Sequence, residues 1–256
     1  MPLLTRDDSV IYYETKGEGP AIIFAHGAGG NAAIWFNQIA HFAPSHQVIA
    51  FDHRTFGRSS VPQGIITVQD FRDDLLALMD TLGVEAAHIV GQSMGGFTVL
   101  RTALDAPDRV LSLTLSATSG GIHNPNPSPA LQTLTGSGDS NARGVQATMS
   151  AATKAKPALM QLYESVNNFN INFSWGHLAN LLGKDSIVQL EQLSSVQPKT
   201  LIIAGKEDPL FPPELLASYI PHFREGQFEV VANSGHSPYF EQPDLFNQHL
   251  AKHITS

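Results

Sequence analysis

Two rhythms of apolar residues alternate along this chain, and each predicts a different element. Continuous runs such as Ala21-Ile22-Ile23-Phe24-Ala25 and Val48-Ile49-Ala50-Phe51 suit strands buried on both faces. Ile89-Val90, Val110-Leu111-Ser112-Leu113-Thr114-Leu115, Leu201-Ile202-Ile203-Ala204 and Phe228-Glu229-Val230-Val231 read as the strands that follow. Val10 to Thr15 instead alternates, as an antiparallel edge strand would, and Lys16-Gly17-Glu18-Gly19-Pro20 turns it. Between these runs the apolar positions recur every three or four residues. Ala32 to Phe42 predicts one helix. Val68, Phe71, Leu75, Leu78, Met79 and Leu82 mark the face of another, which Thr67 and Asp70 begin and Gly83 ends. Strands alternating with helices predict a doubly wound, mostly parallel sheet covered on both faces, an α/β fold.

The rhythm breaks between about Gly121 and Pro198. Asn124-Pro125-Asn126-Pro127-Ser128-Pro129 and Thr135-Gly136-Ser137-Gly138-Asp139 carry loop chemistry. Gln146 to Leu193 reads as two to four helices with Met149, Leu159, Met160, Leu162, Tyr163, Trp175, Leu178 and Leu181 as their apolar positions. The expectation is a helical cap, residues 122–197, inserted into a core formed by residues 1–121 and 198–256. No repeat is visible.

Composition narrows the partners. The chain has 256 residues, a formal charge of −8 and no Lys/Arg cluster, which argues against nucleic acid and against an anionic membrane surface. It has no cysteine, so disulfides, thiolate catalysis and cysteine metal sites are excluded. Met1 to Asp8 lacks a basic start followed by an apolar stretch, and no segment reaches the length of a membrane span. The chain reads as a soluble, cytoplasmic protein, and nothing in the pattern sets an oligomeric state.

The chemistry concentrates at Gly91-Gln92-Ser93-Met94-Gly95-Gly96, which directly follows a strand-like run and precedes a helix-like one. A serine hydroxyl is a weak nucleophile, and it must be exposed beside a base and beside donors for an oxyanion. A sharp strand-to-helix turn supplies the exposure, and glycines two residues either side permit it. Asp208 follows the penultimate strand and His236 the last, so both reach the sheet edge that carries Ser93. Singly, Asp208 before Pro209 reads more readily as a turn former or helix cap, and His236 after Gly235 as a satisfied loop histidine. Together, in the order Ser…Asp…His, they point to a triad. Met94 and Ala28 offer the two oxyanion-hole amides, one at the start of a helix and one in the glycine-rich loop His26-Gly27-Ala28-Gly29-Gly30. Glu207 points away from the site on an extended strand end. His249 and His253, spaced i, i+4 without an acidic third ligand, read as a solvated helix face and not as a metal site. The glycines at 27–30 match neither dinucleotide nor phosphate-loop patterns, so no cofactor and no metal are expected.

With these landmarks the chain resembles the α/β-hydrolase superfamily over nearly its whole length. The His26-Gly27 loop, Asp52-His53-Arg54-Thr55-Phe56-Gly57-Arg58-Ser59, the elbow at 91–95, Gly205…Asp208 and Gly235-His236…Glu241…Pro243 fall in the family's order. The resemblance implies an eight-stranded sheet with a helical cap and a carboxylesterase-like serine hydrolase. It would cleave a small ester or lactone without a cofactor through Ser93, His236 and Asp208. Thr55 departs from the pattern, which has glycine there, so the shape of that loop does not follow from the resemblance. Serine at the elbow separates the chain from the dehalogenases and epoxide hydrolases, which carry aspartate. Carbon–carbon hydrolases of ring-cleavage products share the triad but usually carry tryptophan where this chain has Ser237. Haloperoxidase-like perhydrolases and hydrolase-fold receptors of small ligands also keep it, and all three readings stay open, the carbon–carbon one lowered by Ser237. Trp35, Met160 and Trp175 are the candidates for the substrate pocket, although core packing is the readier role for the two tryptophans.

Overall fold

A computed structural model describes residues 2–62, 64, 66–136, 147–174, 176–177, 181 and 183–255. Its centre is an eight-stranded sheet of strands β1 (Leu3–Arg6), β2 (Ser9–Lys16), β3 (Ala21–Ala25), β4 (Gln47–Phe51), β5 (Ala87–Gln92), β6 (Val110–Ser116), β7 (Thr200–Gly205) and β8 (Gly226–Val231). The spatial order is β1-β2-β4-β3-β5-β6-β7-β8. β1/β2 and β2/β4 pair antiparallel, and every other pair is parallel.

Both faces of the sheet are buried at its centre, which is why β3 is apolar throughout and its neighbours are mostly so. In β3, Ala21, Ile23 and Ala25 enter one core with Leu75, Leu78, Leu100 and Leu113, while Ile22 and Phe24 enter another with Trp35, Phe42, Phe246 and Leu250. Helices α2 (Val68–Thr81) and α3 (Gly95–Asp105) cover the first face. The second is covered by α1 (Phe36–Phe42) and the C-terminal helix Pro243–Thr255. The start of α2 is a capping box in which Thr67 accepts from the Asp70 N–H and Asp70 from the Thr67 N–H.

Three sequence expectations need correction. The strand from Val10 to Thr15 is not the edge: β1 lies outside it, with Leu4 as its one inward apolar residue. The predicted helix from Ala32 to Phe42 begins as a 3₁₀ turn, Ala32–Trp35, before α1. His253 is buried, and only His249 lies at the surface, where its Nδ1 stands 3.5 Å from Glu229.

β3 and β5 lie side by side at the centre, and their onward connections run in opposite directions across the sheet. The crevice above their C-terminal ends is the topological switch point, where open α/β sheets form sites. Between β6 and β7 the described residues form helices Pro129–Gly136, Ala151–Lys154 and Pro157–Asn167 and turns at Lys184–Ser186 and Leu190–Ser195. This segment leaves and rejoins the core side by side, through a bridge between Ile122 and Val188. Among the described residues no helix is long and apolar enough to cross a membrane.

The loop after β4 resolves the question that Thr55 raises. Asp52 accepts from the Ala32 N–H at 2.6 Å and the Arg58 N–H at 2.7 Å, and Arg54 grips Asp74 through two bonds of 2.8 and 2.6 Å. Thr55 keeps the left-handed backbone that glycine would supply, at φ +75°, and its buried hydroxyl has no partner among the described residues. A β-branched residue there costs about 1–3 kcal/mol, against about 0.5–1 kcal/mol of chain entropy for glycine. Thr55→Gly is therefore expected to raise stability by about 1 kcal/mol, or about 2–4 °C in Tm for a chain of this size. Thermal unfolding of the two proteins decides it, and an equal or lower Tm would contradict the strain.

Candidate active site

Ser93 sits between the end of β5 and the start of α3, with its backbone at φ +50°. Side chains at neighbouring turn positions would collide with the core. A Cβ on Gly91 would meet Val99 at 2.5 Å, and one on Gly95 would lie 2.6 Å from the Ala25 carbonyl carbon. The turn is fastened on both sides of the serine. Its N–H donates to the Ser116 carbonyl at 3.1 Å, and its carbonyl accepts from the Thr118 hydroxyl at 2.7 Å and the Gly96 N–H at 2.9 Å.

The structure brings Ser93, His236 and Asp208 into one line. Ser93 Oγ lies 2.9 Å from His236 Nε2, and His236 Nδ1 lies 2.9 Å from Asp208 Oδ2. An ionised carboxylate can only accept, so Nδ1 carries the proton and Nε2 is left to accept from the serine hydroxyl. Asp208 is aimed by its second oxygen, which accepts from the Leu210 N–H at 2.8 Å and the Phe211 N–H at 3.3 Å. The Phe211 ring lies over the imidazole at 5.8 Å between centroids. Glu207 is exposed and caps the Ala151 N–H at 3.1 Å, away from the line.

Glu241 fixes the histidine loop. Buried, it accepts through Oε1 from the Gly235 N–H at 2.9 Å and the Ser237 N–H at 3.1 Å, the residues flanking His236. Its other oxygen accepts from the Ser150 N–H at 2.8 Å. The His236 N–H donates to the Thr148 carbonyl at 3.1 Å and the Ser150 hydroxyl to the Asn233 carbonyl at 3.0 Å, so the segment between β6 and β7 grips this loop at several points.

The loop after β3 stands on the other side of Ser93. A Cβ on Gly27 would lie 2.9 Å from that of Ser93, so only glycine lets the two backbones approach so closely. The N–H groups of Ala28 and Met94 donate to no acceptor among the described residues. His26 Nε2 accepts from the His53 N–H at 3.0 Å, which places the proton on Nδ1 for a 2.8 Å bond to the Gly27 carbonyl. Gly27 C=O and Ala28 N–H belong to one planar peptide, so holding the first aims the second. Burial pushes His26 down to about 4 and His53 well below the usual imidazole range, so both stay neutral. His53 Nε2 reaches Thr98 Oγ1 of α3 at 2.9 Å, tying this loop system to the serine's own helix. Ala28, Phe97 and Phe173 are partly buried and pack with Met94 and Leu181, giving this side of Ser93 apolar walls.

The pocket candidates fare differently. Trp35 is fully buried, packed 4.8 Å from Phe24 and 4.3 Å from Tyr239 between ring centroids. It has no surface left for a substrate, and its place is the core. Met160 is half-buried against that same cluster, and Trp175 lies outside the described residues. Sequence reasoning missed the roles of His26, His53 and the Glu241 carboxylate. Of these, the spacing of Glu241 behind His236 is the one signal that could have found its role.

Residues 20–243 match the alpha/beta hydrolase fold family, and the chain belongs to it. Over 115 residues it is 40% identical to a putative carbamate hydrolase, RutD, of Azorhizobium caulinodans, a match spanning 45% of this chain and 43% of that one. It is 27% identical to 3-oxoadipate enol-lactonase 1 of Acinetobacter baylyi, with 93% and 89% of the two chains covered. Among solved structures it is similar to Est816, described as an N-acyl homoserine lactone degrading enzyme, with a TM-score of 0.82, 26% identity and coverage of 98% and 99%.

Two outcomes follow from the buried groups. Replacing Glu241 with Gln sets an amide donor against a backbone N–H and is expected to cost about 1–3 kcal/mol in chemical denaturation. Unchanged stability would show that the carboxylate is dispensable. Burial also pushes His88 and His253 down to about 4, as it does His26. An unfolded histidine takes up its proton near pH 6.5, whereas these folded ones do not until about 4. Their stabilisation is complete above pH 6.5 and is lost as the pH falls toward 4. His26 alone accounts for about 2 kcal/mol between neutral pH and about pH 5. Denaturation curves at the two pH values measure it, and a flat profile would contradict the neutral state.

Proposed function

We propose that this protein is a carboxylesterase-like serine hydrolase that cleaves a small carboxylic ester or lactone through an acyl-enzyme. The hydrogen-bonded line Ser93–His236–Asp208 carries this reading. Ser93 Oγ attacks the substrate carbonyl while His236 Nε2 takes its proton. Asp208 holds the tautomer and stabilises the imidazolium. The Ala28 and Met94 N–H groups bind the tetrahedral oxyanion, the Met94 amide at the positive end of α3. The intermediate collapses, and His236 returns its proton to the departing alkoxide. A water then gives its proton to His236 and attacks the acyl carbon, which frees the acid and restores Ser93. With a lactone, acid and alcohol leave as one hydroxy acid. The lactone-cleaving relatives support the ester and lactone class. Residues 122–197 serve as the cap, over a core of residues 1–121 and 198–256, and lend the site Phe173 and Leu181.

Ser93→Ala is expected to lower kcat toward p-nitrophenyl esters by about 10⁴-fold or more while leaving the fold intact. Asp208→Asn should cost about 10³–10⁴-fold and Glu207→Gln less than about twofold. A panel of esters of increasing chain length beside lactones supplies the substrates. Retention of a tenth of the activity in Ser93→Ala, or equal losses at 207 and 208, would overturn the assignment.

A further inference from the structure

The oxyanion loop is held from outside the core as well as from within. Asn170, just beyond the helix Pro157–Asn167, reaches it with its side-chain amide. Nδ2 donates to the Gly29 carbonyl at 2.8 Å, and Oδ1 accepts from the Gly57 N–H at 2.7 Å. A backbone N–H only donates and a carbonyl only accepts, so these partners fix which end of the amide is which. The Gly29 carbonyl shares a peptide unit with the Gly30 N–H, which donates to the Gly27 carbonyl at 3.0 Å. The Gly27 carbonyl shares a peptide unit with the Ala28 N–H. Amide groups thus run head to tail from Gly57 through the Asn170 side chain, Gly29–Gly30 and Gly27–Ala28.

We propose that Asn170 is a positioning residue for the oxyanion hole, acting through this amide relay on the Ala28 N–H. The inference rests on the reading of Ser93 as the nucleophile. The relay works in two ways. Each peptide is planar, so a carbonyl held in direction holds its N–H. Each hydrogen bond accepted also makes the next N–H a stronger donor, by about 10–30% per bond. His26 acts on the same Gly27 carbonyl from the core side. Asn170 acts from the segment between β6 and β7, so the strength of the donor depends on where that segment sits. A second bond, Asn31 Nδ2 to the Val166 carbonyl at 2.9 Å, ties the same loop to the same helix end.

The test compares wild type with Asn170→Ala, Asn170→Ser, Asn170→Asp and, as control, Asn168→Ala, an exposed neighbour. The Asp variant keeps an acceptor for the Gly57 N–H but sets a carboxylate oxygen against the Gly29 carbonyl. Losing an oxyanion donor outright costs 10²–10³ in rate, so weakening one should lower kcat roughly tenfold in Ala and Ser and further in Asp, with KM within about twofold. Affinity for an alkyl boronic acid, whose tetrahedral adduct on Ser93 mimics the oxyanion, should fall by the same factor as kcat/KM. The Ala28 amide proton in that adduct should move upfield, and Asn168→Ala should match wild type throughout. Unchanged kcat and boronate affinity in every folded Asn170 variant, whatever the Tm, would overturn the relay, as would a rise in KM alone. Fluorophosphonate labelling of wild-type Ser93 separates the two ideas. No labelling would sink the nucleophile reading and the relay with it, whereas labelling with unaffected variants would sink the relay alone.

Discussion

One unfavourable torsion organises the upper edge of the sheet. A non-glycine residue at φ +50° costs about 1–3 kcal/mol, and Ser93 keeps that conformation because everything around it leaves no other. Ser116 and Thr118 hold its two backbone groups, and the glycines at 91 and 95 let the strand, the turn and α3 pass without collision. The torsion carries the hydroxyl up toward His236 and opens α3 with the Met94 N–H, which no acceptor among the described residues takes. A relaxed turn would lose both, so the strain belongs to the arrangement that makes the site.

The loops around Ser93 cannot draw on strand pairing for their backbone donors, and buried carboxylates take its place. Asp52 accepts from Ala32 and Arg58, Asp208 from Leu210 and Phe211, and Glu241 from Gly235, Ser237 and Ser150. Each is an acceptor with two oxygens, able to hold several N–H groups that would be costly to bury alone. One of the three also aims the imidazole. Such fastening rigidifies the loops at the price of a polar interior that must stay fully satisfied.

The parts of this design that could be read from sequence are those that repeat or that lie next to an element's end. Apolar runs reported the strands buried on both faces, and Ser93, Asp208 and His236 announced themselves by position just past strands. β1 escaped because four residues with a single inward leucine make no pattern. Trp35 could not be assigned from its type, since an indole fills a core as readily as it lines a pocket. Asn170 left no signal at all: its partners, Gly29 and Gly57, lie more than a hundred residues away and touch it through main-chain atoms. A contact made to backbone constrains shape and not residue type, so nothing in the composition of either partner points to it.

The segment from Thr148 to Asn170 is stapled at both ends, to the His236 loop through Thr148 and Ser150 and to the loop after β3 through Val166 and Asn170. It is therefore not a detachable module. A chimera that exchanged it for the matching stretch of a relative would loosen the His236 loop and the loop after β3 together, unless the anchoring residues travelled with it. Divergence in such a chain has to proceed by changes within the span between its anchors, where side chains can vary without loosening either loop.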